Sequence, residues 1–258
     1  ITAQEARTRV FDLSYDVNGD GLLDSIHAWV KEASYGKTSL AGEVYGWYTL
    51  PTGVDACSFS DVRAAVLALA NDDIYFPDYS RLIVILPTTI CGGVAGIGSI
   101  GINSFNLPND GPSQFSMSLI FYVSGIGTTG VHELGHNLGL HHANDWECGA
   151  AAMAASGCQS IVYGDMFDVM GKSTYKAHFS AWHKEKIGWF DSSNIASVNY
   201  NAWGRYLLEA LELAGDGLKL LKINAPSEDY DSSVEYRRNL GFDKIALAAS
   251  GPTAYNGA

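Results

Sequence analysis

The chain has 258 residues, 47% of them hydrophobic, and a formal net charge of -12. That apolar content argues for a folded globular domain, and no apolar run approaches the ~18 residues of a membrane span. With 16 Lys and Arg against 28 Asp and Glu, a nucleic-acid backbone is excluded as a partner. The acidic balance suits a secreted protein or one that binds cations. A chain that starts at Ile1, with neither an initiator Met nor an apolar leader, reads as a processed or trimmed product.

In chain order, the first 27 residues read as polar and turn-rich, and residues 26–30 as the start of a strand. Residues 43–50 (EVYGWYTL) read as an aromatic strand stopped by Pro51. Ser60 is placed to N-cap a helix through Ala70, with Asp61 in its first turn. Residues 82–86 read as a buried strand and 116–123 as another. Between them, the Gly-rich run CGGVAGIGSIG lacks the order of a phosphate-binding loop and reads as loop and edge strand. Thr128 or Thr129 opens a helix through Leu140; residues 143–175 read as irregular and 179–187 as a short helix. The last 70 residues read as short strands and turns, among them 218–223 and 234–237. This order indicates an α+β architecture in one domain. Cys57, Cys91, Cys148 and Cys158 contain no C-x-x-C pair. Local pairing would give the disulfides Cys57–Cys91 and Cys148–Cys158 and an oxidising compartment, with free buried thiols the alternative.

Residues 132–142 read HELGHNLGLHH, which fits H-E-x-x-H-x-x-G-x-x-H at every fixed position. His132 and His136 are four apart, so on a helix they share a face at about 6 Å and can reach one zinc ion. Glu133 is placed to polarise a metal-bound water and not to ligate. Gly139 suits the position just past a helix end, where the chain turns and brings His142 in as third ligand. The gap after Gly139 selects His142 over His141. Three protein ligands leave a fourth position for water, the mark of a catalytic zinc site. Such a site hydrolyses a peptide bond with Glu133 as general base and no covalent intermediate. The expectation is that Glu133→Ala abolishes hydrolysis while zinc stays bound.

A second pattern lies at Asp16, Asn18, Asp20, Gly21, Leu22 and Asp24, which fits D-x-[DN]-x-D-G-x-x-D. Oxygen ligands at this spacing suit a structural calcium ion, with the Leu22 carbonyl among them. His27 stands where an EF-hand loop has its bidentate Glu, so a looser calcium loop is expected; the alternative is a turn between strands. His178 and His183 read as surface or capping histidines, the aromatics near 45–48 and 182–190 as core, and Arg237 with Arg238 as a solvated or paired turn.

The zinc motif resembles that of the metzincin zinc endopeptidases. Residues 168–171 (DVMG) resemble the methionine turn of that clan, which would put the Met170 thioether under the three imidazoles as an apolar floor. HELGHNLGLHHA (132–143), YGDMFDVMG (163–171), FSAWHKEKIGW (179–189), SYGKTSLAGEVYGWY (34–48) and VEYRRNLGFD (234–243) are similar to the gametolysin family of secreted metzincins. Some metzincins carry a Tyr ligand two residues after the turn Met. Lys172 stands there, so that role is not carried over; Tyr175 is the nearby tyrosine. The resemblance implies a metzincin-like zincin with a twisted mixed sheet and active-site helix in an upper subdomain, 1–142, including the calcium-like loop 16–27. A loop-rich lower subdomain, 143–258, would carry the methionine turn and a β-rich C-terminal part below the cleft. It implies a secreted enzyme that cleaves extracellular or cell-wall proteins and glycoproteins; a monomer is expected. The competing readings are a catalytically silent zinc- and calcium-binding adhesin or matrix binder, and a non-peptidase zinc hydrolase such as an amidase.

Overall fold

A computed structural model describes residues 1–16, 24–86, 91–121, 126–150, 156–172, 177–224 and 232–243. The calcium-loop residues Asn18, Asp20 and Leu22, and Tyr175, lie outside this set. The chain divides into two compact units, one of residues 1–30 and 39–141, the other of 31–38 and 142–258.

The first unit holds helices α1 (Ala3–Phe11), α3 (Phe59–Ala70) and α4 (Ile126–Asn137), and the start of α2 (Ile26–Ala33). The turn-rich reading of the N-terminus is corrected by α1. Its Thr2 side chain and Glu5 form a reciprocal capping box, and only Ala6 and Val10, one turn apart, are buried. A helix so polar gives little periodic signal. The strand expected at 26–30 is likewise a helix. Ile26, Trp29, Val30 and Ala33 are all fully buried, and their spacing is that of one helical face. Ser58, two residues before the expected cap, N-caps α3 and accepts from the Asp61 amide.

Strands β1 (Arg81–Ile85), β2 (Gly96–Gly98), β3 (Asn103–Leu107) and β4 (Gly111–Ile120) form a mixed four-stranded sheet. The second half of β4 pairs in parallel with β1 and antiparallel with β2, while its first half pairs antiparallel with β3. Helix α4 packs against β4 and β2. Residues 43–50 join no ladder; Gly46 sits at φ +103°, which interrupts a strand run, and Tyr45 and Trp47 are exposed. The core reading of those two aromatics is thereby corrected. The Cys57–Cys91 disulfide lies in this unit.

In the second unit, β5 (Asp145–Glu147) pairs antiparallel with β6 (Gln159–Ile161), and the Cys148–Cys158 disulfide closes the connection between them. Strand β7 (Ile195–Asn199) runs parallel to β8 (Leu220–Asn224), which pairs antiparallel with β9 (Ser232–Val234). Helix α5 (Ala181–Lys186) is capped by Ser180, whose side chain accepts from the His183 amide. Trp189 is buried, whereas Trp182 is exposed, against the core reading.

Beside its apolar core, with Phe179, Leu211 and Leu220 fully buried, this unit holds a buried polar cluster. Lys184 is fully buried; its Nζ donates to the Tyr35 hydroxyl at 3.0 Å and lies 3.1 Å from His178 Nδ1. Arg237 is buried and paired with Glu235 at 2.5 Å and Asp243 at 3.1 Å. Residues 31–38 belong here through Glu32, which meets His178 Nε2 at 2.8 Å, and through Lys37, whose Nζ meets Asp191 at 2.7 Å. Burial pushes the Lys184 ammonium down to about 7. An unfolded lysine titrates near ~10.4, so above about pH 7 the unfolded chain binds the extra proton and stability rises with pH. Glu133, whose carboxyl is pushed up to about 8, opposes this below pH 8, so the unfolding free energy from urea melts is expected to rise from pH 8 to about pH 9.5, with a slope of about 1 kcal/mol per pH unit, and Lys184→Met is expected to flatten it. An unchanged slope in Lys184→Met would assign the dependence elsewhere.

Candidate metal centre

Helix α4 carries the first part of the site. Its sequence, IGTTGVHELGHN, is poor in strong helix formers, so burial sustains it; every residue from Gly130 to Asn137 is buried. Gly127 and Gly130 permit close packing. A Cβ at Gly127 would stand 2.3 Å from the Asp24 carbonyl oxygen, and one at Gly130 2.3 Å from Ile26 Cδ1. At the other end, Asn137 is buried and holds α4 to the sheet. It accepts from Ser118 Oγ at 2.9 Å and donates to the Ser99 and Met117 carbonyls at 3.0 and 3.2 Å.

The helix stops at a Schellman cap. Gly139 takes φ +91°, its amide donates to the His136 carbonyl at 2.8 Å, and the Leu140 amide donates to the Gly135 carbonyl at 3.0 Å. The chain then continues through exposed His141 to half-buried His142.

His132, His136 and His142 each offer one ligand atom, and these atoms lie within 4.8 Å of one another. They form a candidate metal-binding site. The first two are buried, with ring centroids 4.9 Å apart and planes at 86°. His136 Nδ1 lies 2.8 Å from the Leu140 carbonyl oxygen, so it carries the proton and leaves the Nε2 lone pair for a metal. Three neutral imidazoles converging in this way fit a borderline-soft divalent ion, with carboxylates left for other tasks.

Glu133 is buried on the same helix, and burial pushes its carboxyl up to about 8. The backbone of β2 lies against it: a Cβ at Gly96 would be 2.7 Å from Glu133 Oε1.

Around His142, the Tyr163 ring lies at a centroid distance of 3.9 Å. Tyr163 adopts φ +59°, rare for a bulky residue, and its amide donates to Asn144 Oδ1 at 3.1 Å. The zinc motif does not reach it; in the sequence it stands out only as the first residue of the run YGDMFDVMG (163–171), away from Lys172, which is exposed. The next residue, Ala143, donates its amide to the Met170 carbonyl at 3.0 Å.

Met170 is fully buried in a turn organised by Asp168. The Asp168 carboxylate accepts from the Met170 amide at 2.7 Å and the Ser180 amide at 2.8 Å, and meets His183 Nδ1 at 2.6 Å. These bonds hold the buried carboxyl below its usual range despite desolvation. His183 and His178 are therefore buried partners of Glu32, Lys184 and Asp168, which corrects the surface reading. Their burial depends on partners distant in sequence, which local spacing does not reveal.

Of the proposed calcium ligands, Asp16 and Asp24 are described, and the Asp24 amide donates to the Tyr15 carbonyl at 2.6 Å. His27 sits on α2 with Nδ1 3.2 Å from the Phe11 carbonyl oxygen.

The chain matches no protein-family model, no curated protein and no solved structure. The functional reading therefore rests on the motif and on the geometry just described. No helix among the described residues is long and apolar enough to cross a membrane.

Proposed function

We propose that the protein is a zinc-dependent endopeptidase of the metzincin type, secreted and acting on extracellular or cell-wall proteins. The observation that carries this reading is the convergence of His132, His136 and His142 within 4.8 Å, beside a buried carboxyl one residue from the first ligand. A structural site needs a fourth protein ligand, and none completes this group among the described residues. A zinc ion held by the three imidazoles supplies Lewis acidity, bringing the pKa of water toward ~7 and polarising a carbonyl.

The chain's own groups do the rest. His132, His136 and His142 hold the ion, and the Leu140 carbonyl fixes the His136 tautomer. Glu133 takes a proton from the attacking water as the C–O bond forms, then gives it to the amine nitrogen as the C–N bond breaks. Met170 in its Asp168-braced turn is read as the apolar floor of the ligand set. The two disulfides support an oxidising compartment. The calcium reading of residues 16–24 rests on residue order alone.

The test is incubation of the purified protein with casein, gelatin and a peptide mixture, with and without a chelator, alongside metal analysis. Chelator-sensitive cleavage, restored by zinc, is the expected result. One zinc per chain with no cleavage of any substrate would overturn the reading and favour a silent zinc-binding adhesin.

A further inference from the structure

The Gly-rich run before β4 has no phosphate-loop order, yet two of its glycines lie against the candidate base. Gly96 and Gly98 are two apart on β2, so their missing side chains would point to the same face of the strand. That face is pressed on α4. A Cβ at Gly96 would stand 2.7 Å from both Glu133 Oε1 and Thr129 Cγ2, and 3.0 Å from Glu133 Cγ. A Cβ at Gly98 would stand 2.8 Å from the Glu133 carbonyl oxygen, 2.9 Å from Glu133 Oε2 and 3.1 Å from His136 Cβ. The two positions thus lie against the two oxygens of one carboxylate.

Strand β2 has no room to retreat. Its ladder with β4 pairs Gly96 with Ile120 and Gly98 with Ser118. Just beyond its end, the Gly101 amide donates to the His136 carbonyl at 2.9 Å, and Asn137 bonds the Ser99 carbonyl. A side chain added at 96 therefore strikes two side chains, the Glu133 carboxylate and the stiffer, β-branched Thr129, and the carboxylate is the freer of the two to move. Added at 98, it also meets the main chain of α4.

We propose that Gly96 and Gly98 are positioning residues, and that the bare backbone of β2 is the wall that sets the Glu133 carboxylate in its working orientation. This rests on the endopeptidase reading. A glycine here is a requirement of close approach, since both positions leave too little space for a Cβ. The wall also keeps bulk water from one side of the carboxylate, in keeping with its burial.

The experiment is a pair of double-variant cycles. In the first, Gly96→Ala is expected to lower kcat roughly 10–100-fold, as a displacement of about 1 Å does. KM should stay within about twofold and one zinc per chain should remain bound. Combined with Glu133→Gln, it is expected to lose little beyond Glu133→Gln alone, because the group it displaces is already disabled. Losses that multiply, or a Gly96→Ala enzyme with wild-type kcat, would overturn the proposal.

The second cycle uses melting temperature and needs no activity. All of its members carry Thr129→Ser, which removes the other atom Gly96→Ala would strike. Gly96→Ala is expected to lower Tm by several degrees, and Glu133→Ala to restore most of that loss. An equal drop with and without the Glu133 side chain would overturn the seat. If the wild-type protein cleaves nothing, the endopeptidase reading fails on its own, and this cycle still decides whether β2 seats the carboxylate. Gly98→Ala is expected to weaken zinc binding at least tenfold as well, through the His136 contact.

Discussion

Glu133→Gln is expected to lower kcat/KM for peptide hydrolysis by roughly 10²–10⁴-fold, the range a positioned general base contributes, while zinc stays bound at one per chain. The amide has the shape of the acid, so it fits the same narrow space between α4 and β2 that a Cβ at Gly96 or Gly98 would enter. What it lacks is a site that accepts a proton and gives it up again. The three imidazoles are untouched, and the Leu140 carbonyl still orients His136. Loss of rate with metal retained separates the base from the ligands; His136→Ala, by contrast, is expected to lose both. Metal content by atomic emission and initial rates on one peptide are sufficient measurements. A Glu133→Gln protein that cleaves at the wild-type rate would remove Glu133 from the mechanism.

Asp168→Ala is expected to destabilise the fold by about 3–5 kcal/mol. Asp168 is fully buried and accepts from the Met170 amide, the Ser180 amide and His183 Nδ1. Truncation leaves buried donors without acceptors at once. Asp168→Asn retains one acceptor oxygen and is expected to lose less. The folded carboxyl titrates below its unfolded value, so its stabilisation is fully present above the unfolded pKa of ~3.9 and disappears as pH falls through the lower folded value. Urea unfolding of wild type and Asp168→Asn at pH 7 and below pH 4 should therefore converge on acidification. A gap that stays constant with pH would mean that the charge contributes nothing.

The three candidate metal ligands were legible because their spacing is local: one helical turn brings His132 to His136, and one glycine turns the chain for His142. The disulfide pairs were legible for the same reason, each joining cysteines that are neighbours in order. Strands rich in β-branched and apolar residues, such as β1 and the second half of β4, carried their own signal. Helix α1 did not, since two buried side chains in nine residues leave almost no periodic trace. Helix α2 did carry one, at Ile26, Trp29, Val30 and Ala33, but its β-branched residues pointed to a strand. The buried polar cluster was hidden for a different reason. Tyr35, Lys184, Arg237 and Asp243 come from three segments far apart in sequence, and each alone has the composition of a surface residue. The seat under Glu133 was equally silent, because a glycine records the absence of a side chain and not what stands in its place.

The three imidazoles all come from residues 132–142, whereas the first pairing of β1 with β4 joins Arg81 to Ser116. Bringing the ligands together closes only a short stretch of chain, at small entropic expense; building the sheet closes a far longer loop. Helix α4 owes its persistence to burial against that sheet, so the scaffold prepares the ligands before any ion arrives. Stripping the ion should therefore silence the protein well before it unfolds, unlike small zinc domains whose fold is the metal's own work.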